Sequence, residues 1–255
     1  MPAPVNVFKK NLKEGKTQIG CWVGLADPYA AEISATANFD WLLIDGEHAP
    51  NDLRSILAQL QVIEASPSHS VVRIPIGENW IIKQVLDAGA QTLLVPMVES
   101  GTQARELVKA TRYPPEGVRG VGSALARASR FSQIPDYLQT ADEQICLIVQ
   151  VENRAGLDAL DDILAVDGVD GVFLGPSDLA ADMGFIGKPN TPEVVDAVMD
   201  AIERIKAAGK AAGTLAIDPT FIEKSFQAGA TFVAVGIDVT IFANAMRNLA
   251  KTYKP

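Results

Sequence analysis

Basic residues are in the minority in this sequence of 255 residues, where 22 Lys and Arg stand against 31 Asp and Glu, a net charge of −9. This balance suits neither nucleic-acid backbones nor anionic membranes, so we expect neither as a partner. No apolar run approaches the roughly 20 residues of a membrane helix. The amino terminus also lacks the apolar centre of a signal peptide. These absences predict a cytoplasmic protein.

Cysteine and histidine are both scarce, with two residues of each. Cys21 and Cys146 lie in apolar, strand-like runs, and we interpret them as buried reduced thiols, as expected in the cytosol. So few Cys and His residues do not supply the ligands of a closed zinc site. Of the two histidines, His69 lies in the polar stretch SPSHS and is interpreted as a solvated loop residue on the amino-terminal side of a sheet. His48 is considered below.

A dinucleotide-binding G-x-G-x-x-G motif and low-complexity linkers are missing too, whereas a weak repeat is present. Its copies combine a helix end, a Gly or Asn, a short link and an apolar run: ATANFDWLLID, LDAGAQTLLVP, LAVDGVDGVFLG and FQAGATFVAVG. Continuous apolar runs are typical of parallel strands buried on both faces. The sequence predicts strands near residues 18–23, 40–45, 70–74, 92–96, 145–151, 170–174, 210–215 and 231–236.

Helical patterns alternate with these strands. Apolar stripes over residues 53–63 and 194–205 are typical of helices that face a sheet. Eight strands alternating with helices over about 250 residues predict a single (β/α)8 TIM-barrel domain, residues 1–255, with a doubly wound open sheet as the alternative. The irregular segment 112–135 is interpreted as a functional loop rather than a domain boundary.

Polar residues concentrate at the carboxyl ends of the predicted strands, where such barrels build their active sites. Asp45, Glu47 and His48 follow the second strand, and Arg73 ends the third. Later strand ends contribute Glu99, Gln150, Glu152, Asp178, Thr214, Leu215, Gly236 and Asp238. We therefore expect the functional site at this end of the barrel.

Two carboxylates follow adjacent strands and are the candidate metal ligands. Glu152 follows the fifth strand and Asp178 the sixth, so both can reach one cation. Two carboxylates, with the remaining positions left to water and substrate, suit Mg²⁺, Mn²⁺ or Co²⁺. The alternative is that Asp178 caps a helix while Glu152 is solvated.

The run Gly175-Pro176-Ser177-Asp178 begins a helix beside this pair. Free backbone N–H groups at a helix start attract anions, so a substrate carboxylate is expected to bind there. Proline in the first turn is also ordinary helix initiation. Leu215, at the end of the seventh strand, completes the predicted substrate-binding set.

Arg73 and His48 are the remaining candidates. Arg73 lies among apolar residues and needs an anion nearby, either the substrate or a structural ion pair with Glu99 or Asp45. As a histidine, His48 is the candidate proton carrier, and Asp45 is close enough in sequence to orient its ring. The alternative for His48 is a turn residue that is hydrogen-bonded for structure.

Taken in order, FDWLLIDGEHAPND, VVRIP, LLVPMVES, PPEGVRGVG, VQVEN and GVFLGPSDLAADMG resemble the class II pyruvate-dependent aldolases of the HpcH/HpaI type. The resemblance covers essentially the whole chain. It implies a barrel of the phosphoenolpyruvate/pyruvate-domain type and a lyase of aromatic or sugar-acid catabolism. The implied reaction is reversible cleavage of 4-hydroxy-2-oxo acids to pyruvate, or a related 2-oxo acid such as hydroxypyruvate, and an aldehyde. It also implies a divalent metal and no organic cofactor.

The resemblance further implies residue roles. These are a base for His48, oxyanion stabilisation for Arg73, metal binding for Glu152 and Asp178, and substrate binding for Gln150 and Ser177. Asp87 matches an acid that raises the basicity of the histidine. Because Asp87 ends a helix, either a neighbouring subunit supplies it or its effect is indirect. The resemblance implies a hexamer with an exchanged last helix, residues 237–251, although the apolar stripe of that helix also suits an ordinary eighth helix.

Three other functions are alternatives to a metal-dependent aldolase. A Schiff-base aldolase needs a lysine at a strand's carboxyl end, and Lys83, Lys109, Lys188, Lys206 and Lys210 lie elsewhere. A catalytically silent 2-oxo-acid-binding protein is a second alternative. A phosphoenolpyruvate mutase or a CoA-ester lyase is a third, but no phosphate-binding or CoA-binding basic cluster favours it.

The sequence leaves both reactants partly open. Arg119, Arg127 and Arg130 in the segment 112–135 either contact an acidic acceptor aldehyde or form a solvated basic loop. The identity of the acceptor, and whether the donor carries a C3 hydroxyl, do not follow from the residues.

Overall fold

A computed structural model describes residues 1–254 of the chain. Eight parallel strands form a closed barrel in sequential order, and the last pairs with the first. The strands are β1 Gln18–Val23, β2 Trp41–Asp45, β3 His69–Arg73, β4 Thr92–Val95, β5 Cys146–Val151, β6 Gly171–Leu174, β7 Ala211–Leu215 and β8 Phe232–Ile237. The predicted (β/α)8 TIM barrel is confirmed, and pairing of β8 with β1 excludes the open sheet.

Helices surround the barrel and precede its first strand. They are α1 Val7–Lys13, α2 Pro28–Ala35, α3 Leu53–Ile63, α4 Asn79–Asp87, α5 Gly101–Thr111, α6 Tyr137–Gln144, α7 Arg154–Asp158, α8 Leu160–Leu164, α9 Pro176–Asp182, α10 Pro192–Ala207, α11 Pro219–Ala228 and α12 Asp238–Tyr253. A short 3-10 helix, Arg127–Ser129, interrupts the segment 112–135. None of the helices within residues 1–254 has the length and apolar character of a membrane span.

Local sequence explains where α3 begins and which face it buries. The Asp52 side chain accepts hydrogen bonds from the backbone N–H groups of Arg54 and Ser55. In turn, the Ser55 hydroxyl oxygen accepts from the backbone N–H of Asp52. This reciprocal capping stabilises the start of the helix. Ile56 and Leu60 are then buried against the strands, as the predicted stripe requires.

Two apolar layers hold the barrel together. One lies between the strands and the surrounding helices and consists mainly of Val, Ile, Leu and Ala. The other fills the barrel interior and is rich in aromatics, with Trp41 and Phe173 both contacting Phe232. Phe8 of α1 packs on Trp41 and Phe232 from below. The amino-terminal end of the barrel is therefore plugged by α1, which leaves the carboxyl end for ligands.

His69 is not the solvated loop residue that the sequence predicted. It is the first residue of β3, its Nε2 lies 2.9 Å from Oγ1 of Thr92, and its ring stacks on Phe8 with centroids 5.5 Å apart. Loss of solvent around the ring lowers its pKa to about 4. The prediction failed because α1, remote in sequence, covers this end of the barrel. Its placement on the amino-terminal side was right.

The last helix leaves its apolar face uncovered within this chain. Ile241, Phe242 and Leu249 of α12 are 58%, 58% and 57% exposed. The alternative of an ordinary eighth helix packed on its own barrel is therefore wrong. Cys21 and Cys146 are buried and free, as predicted.

Candidate active site

A cavity of about 570 Å³ opens at the carboxyl ends of the strands. Its lining brings together all but two of the predicted site residues: Asp45, His48, Arg73, Gln150, Gly175, Pro176, Ser177, Asp178 and Leu215. Glu152 lies directly behind this wall, because a Cβ atom on Gly175 would be 2.5 Å from Glu152 Oε2. Asp87 is elsewhere. The barrel therefore assembles residues from five strand ends, as the sequence predicted.

Arg73 is fixed by two carboxylates at the ends of β2 and β3. Its Nε and Nη2 donate to Asp45 Oδ1 and Oδ2 at 2.8 and 2.6 Å, and its Nη1 lies 2.9 Å from Glu47 Oε2. Arg73 and Asp45 are only 6% and 4% exposed. Of the two ion-pair partners considered from the sequence, Asp45 is correct. Glu99 instead accepts a hydrogen bond from Asn153.

Trp22, at the end of β1, supports the same pair. The Arg73 guanidinium carbon lies 5.1 Å from the centre of the Trp22 ring, and Trp22 Nε1 donates to Asp45 Oδ2 at 3.3 Å. Burial raises the pKa of Asp45, but the paired guanidinium outweighs it, so that the pKa lies below its ordinary value. The pair is consequently ionised and held in one orientation.

His48 stands at the rim of the cavity, where its side chain is 65% exposed. Asp45 contacts it differently from the prediction, because Asp45 Oδ1 accepts from the backbone N–H of His48 at 3.3 Å and not from the ring. The carboxylate beside the ring belongs to Glu47, with Oε2 3.8 Å from His48 Nε2. Asp45 therefore orders the loop that carries His48, and Glu47 is the acid next to the imidazole.

Glu152 is a buried carboxylate, 3% exposed, and the solvated alternative for it is wrong. Its Oε1 accepts from the backbone N–H of Met97 at 2.9 Å, and its Oε2 accepts from Gln150 Nε2. Burial is the main cause that raises its pKa to about 7, and the negative charges of Asp178 and Glu47 add to this. Gly175 makes room for this carboxylate, because a side chain there would collide with it.

These carboxylates form a site that suits a divalent cation. Asp178 is in the first turn of α9 and is not its capping residue, which is Gly175. Glu47 is partly buried, and its Oε2 lies 2.9 Å from Arg73 Nη1, so its charge is already compensated. No three His, Cys, Asp or Glu side chains in that range are arranged as a ready-made metal cage. An open site of two carboxylates plus water and substrate is the arrangement that Mg²⁺-like ions accept.

Asp87 lies outside the cavity, as its position at a helix end suggested. It is the last residue of α4, and its Oδ1 accepts from Arg119 Nη2 at 2.7 Å. The Arg119 side chain is fully buried and stacks over Tyr113, with its guanidinium carbon 4.4 Å from the ring centre. Within one chain, Asp87 therefore anchors the segment 112–135.

The three arginines of that segment do not face the cavity of their own chain. Arg119 is neither solvated nor free to meet an acceptor, because it is buried against Asp87. Arg127 and Arg130 both pair with Glu64, which directly follows α3, near the amino-terminal end of the barrel. Within one chain, these arginines therefore do not reach the cavity where an acidic acceptor aldehyde would bind.

The lysines considered for a Schiff base are also remote from the cavity. Lys83, Lys109 and Lys206 lie on α4, α5 and α10, Lys188 lies between α9 and α10, and Lys210 immediately precedes β7. The cavity wall contains none of them.

Sequence reasoning missed three contributions to the site. The sequence places Glu47 at the same strand end as Asp45 but assigns it no role. Trp22 could have been predicted, because it is an aromatic residue near the carboxyl end of β1. The Met97 backbone N–H gave none, because a main-chain donor becomes visible only when the strand ends are brought together.

Known proteins resemble this chain over nearly its whole length. The sequence profile described as HpcH/HpaI aldolase/citrate lyase matches residues 18–245. A hydroxypyruvate/pyruvate aldolase of Roseovarius nubinhibens is 63% identical over 98% of both chains. A 4-hydroxy-2-oxo-heptane-1,7-dioate aldolase of Salmonella dublin is 54% identical over 97% of this chain and 94% of its own.

A solved structure agrees in fold. The crystal structure of an HpcH/HpaI aldolase/citrate lyase family protein from Burkholderia cenocepacia superposes with a TM-score of 0.94 at 40% identity. It covers 98% of this chain and 100% of that one.

Proposed function

The chain belongs to the HpcH/HpaI aldolase/citrate lyase family, and on this premise we propose that it is a divalent-metal-dependent aldolase acting on 4-hydroxy-2-oxo acids. The products of cleavage are a 2-oxo acid and an aldehyde. The observation that carries the proposal is one cavity where a buried arginine and an exposed histidine lie near Asp178 and Glu152, two carboxylates that form no ion pair with Lys or Arg within residues 1–254. Arg73 and the carboxylates could also bind a 2-oxo acid, but the exposed His48 supplies the proton carrier that enolate chemistry needs.

His48 is proposed to move the proton. In cleavage, its imidazole takes the proton of the substrate 4-hydroxyl, the bond between C3 and C4 breaks, and the aldehyde leaves. The electron pair of that bond becomes the enolate of the 2-oxo acid, and the imidazolium then protonates C3. In condensation the same steps run backward. Exposure of the ring at the cavity rim supports this role, because a general base must reach the substrate.

Arg73 is proposed to stabilise the enolate oxygen. Asp45 occupies its Nε and Nη2, and Glu47 lies at Nη1, so the remaining N–H groups of Nη1 and Nη2 are oriented before substrate arrives. Gln150, Ser177 and Leu215 line the same cavity and are proposed to contact the 2-oxo acid.

Glu152 and Asp178 are proposed to hold the metal, with Mg²⁺, Mn²⁺ and Co²⁺ as candidate ions. The bound ion would supply Lewis-acid stabilisation of the developing oxyanion. Burial of Glu152 near the negative charges of Asp178 and Glu47 supports this, since a buried ionised carboxylate is stabilised by a cation. We propose no organic cofactor.

Pyruvate and hydroxypyruvate are the proposed donors, since relatives of this chain are named for both. We also propose that residues 1–255 act as one domain, in the cytoplasm, with small molecules rather than nucleic acid or membranes as partners.

We propose assembly as a hexamer in which α12 is exchanged between neighbours. The uncovered stripe of Ile241, Phe242 and Leu249 supports an exchange, because large apolar side chains in one row favour a protein contact. In such an assembly Asp87 of one subunit would act on His48 of the next, which explains its distance from the cavity of its own chain.

Proton exchange tests the chemistry without knowledge of the acceptor. We expect the protein to exchange the methyl protons of pyruvate for deuterium, followed by NMR, when Mg²⁺, Mn²⁺ or Co²⁺ is present. Excess EDTA should abolish exchange, and added metal should restore it. A screen of aldehydes with pyruvate and hydroxypyruvate then identifies the acceptor. Full exchange after dialysis against EDTA would contradict the metal-dependent mechanism.

A further inference from the structure

Gln59 is a polar residue in a place that packing alone would give to an apolar one. It lies on the strand-facing stripe of α3 beside Ile56 and Leu60, and it is 0% exposed. Its Oε1 is buried and has no hydrogen-bond partner within residues 1–254. Burying an unsatisfied amide oxygen destabilises a protein, so a buried polar group of this kind calls for another explanation.

The amide nitrogen of Gln59 supplies that explanation. Its Nε2 donates to Asn51 Oδ1 at 2.6 Å and to the Ser55 carbonyl oxygen at 3.0 Å. The Ser55 hydroxyl donates to the same Asn51 Oδ1 at 2.7 Å. Two donors from the first turns of α3 therefore fix the orientation of the Asn51 amide.

Asn51 in turn connects the helix to the end of β2. Its Nδ2 donates to the backbone carbonyl oxygen of Asp45 at 2.8 Å. This bond joins the two ends of the loop 45–51, which carries Glu47 and His48. The Gly46 N–H donates to the Arg73 carbonyl oxygen at 2.8 Å, so the start of the loop is also attached to β3.

We propose that Gln59 and Asn51 are positioning residues that hold the loop 45–51 in its catalytic geometry. Neither touches the reacting atoms. They act through the Asp45 backbone carbonyl, and hence on the placement of His48, whereas the side-chain bonds of the Asp45–Arg73 pair stay in place. The catalytic part of this inference rests on the proposed aldolase function, whereas the structural part does not.

Gln59→Met tests the proposal because it keeps the size of the side chain and removes the amide. Asn51→Ala is the second variant and removes the link to Asp45 itself. Thr111→Val is the matched control: Thr111 is 4% exposed on α5, and its Oγ1 donates to the Val108 carbonyl oxygen at 2.8 Å. It removes one buried helical hydrogen bond that has no connection to the loop.

Hydrogen–deuterium exchange with mass spectrometry is the first measurement, since it does not depend on activity. We expect peptides covering residues 45–51 to exchange about 10-fold faster in Gln59→Met and Asn51→Ala than in the parent. The same peptides should be unchanged in Thr111→Val. Unchanged loop exchange in both loop variants would overturn the proposal.

Kinetics on the metal-loaded protein are the second measurement. We expect kcat for pyruvate proton exchange to fall about 10-fold or more in both variants, with KM for pyruvate within about 2-fold, because a displaced base costs rate rather than binding. The double variant should lose no more than the worse single variant, since both act through one loop. A parental kcat in folded Gln59→Met and Asn51→Ala would refute the positioning role.

The two proposals fail in different ways. If the parent protein itself exchanges no pyruvate protons with any of the three metals, the aldolase proposal fails, and the deuterium experiment still decides whether Gln59 and Asn51 hold the loop. If Gln59→Met does not fold, Asn51→Ala decides, because Asn51 is only partly buried and its loss leaves the apolar packing of α3 intact.

Discussion

Arg73 illustrates how single residues set the chemistry of this barrel. A permanent charge at 6% exposure is costly, and here two carboxylates and an aromatic face offset the cost. The two carboxylates and the Trp22 ring hold Arg73 in one orientation, whereas the His48 side chain is exposed at the rim of the cavity. A proton carrier that must reach substrate is exposed, whereas the group that stabilises charge is buried and fixed.

Substitutions at His48 and Arg73 should separate these two roles. We expect His48→Ala to lower aldol cleavage and pyruvate proton exchange together by about 10²–10⁴-fold, with little change in substrate binding. Arg73→Lys keeps the charge but loses the planar fork, so both the rate, by about 10²-fold, and the affinity for the 2-oxo acid should fall. The measurements are steady-state kinetics and NMR exchange, after circular dichroism has shown that both variants fold. Parental proton exchange in folded His48→Ala would place the base elsewhere, with Asp45 tested next.

His69 provides a prediction for stability against pH. Its pKa is lowered from 6.5 to about 4 by loss of solvent, so the unfolded chain binds a proton at a higher pH than the folded chain does. The stability that neutral His69 contributes to the fold is therefore fully present above about pH 6.5 and is lost as the pH falls toward 4. Between about pH 7 and pH 5, the free energy of unfolding should fall in both proteins. We expect the fall in His69→Gln to be smaller than in the parent by on the order of 1 kcal/mol. Urea denaturation at both pH values checks this, and parallel losses in the two proteins would contradict it.

At the scale of elements, the turn from β6 into α9 places the candidate metal ligands. Gly175 begins this turn, and Glu152, which follows β5, lies directly against its backbone. Any side chain at position 175 takes the space of that carboxylate. The turn from β6 into α9 therefore leaves space for the Glu152 carboxylate and also begins the helix that carries Asp178.

Gly175→Ala should consequently damage metal binding. Its Cβ would lie 2.5 Å from Glu152 Oε2 and 2.8 Å from Glu152 Cβ, so the carboxylate has to move. We expect Mn²⁺ affinity, measured by isothermal titration calorimetry, to fall by about 10-fold or more. Gly122→Ala is the control, because nothing lies within 4 Å of a Cβ at that position. Parental Mn²⁺ affinity in Gly175→Ala would argue against Glu152 as a ligand.

At the scale of the whole molecule, α12 is the element that the barrel does not use for its own core. Its exposed apolar residues are Val239, Ile241, Phe242, Met246, Leu249 and Tyr253. The first of these, Val239, lines the cavity, so a partner that covered the row would lie next to the site.

Phe242→Glu tests the exchanged helix. A charge in the middle of the apolar row should prevent its burial, and we expect the hexameric mass to shift toward smaller species in light scattering at micromolar concentration. Lys251→Glu, nine residues after Phe242 and therefore on the opposite side of the same helix, should leave the mass unchanged. A parent protein that is monomeric under these conditions would refute the hexamer.

Sequence patterns were sufficient for the barrel and for most of its cavity. Continuous apolar strands and one-sided helices allow few arrangements, so the eight strands and the residues at their carboxyl ends follow from local patterns. Asp45, His48, Arg73, Gln150 and Asp178 face the same cavity for that reason.

Contacts between residues remote in sequence were decided only by the tertiary structure. Covering of His69 by Phe8, pairing of Asp87 with buried Arg119, and the Met97 N–H at Glu152 all join elements that sequence periodicity treats separately. The acid beside the His48 ring is Glu47 rather than Asp45 for the same kind of reason, because Arg73 from β3 binds both oxygens of the Asp45 carboxylate. The physical reason is that periodicity records which side of an element is buried, whereas the partner of a polar group depends on distances that exist only after the barrel has closed.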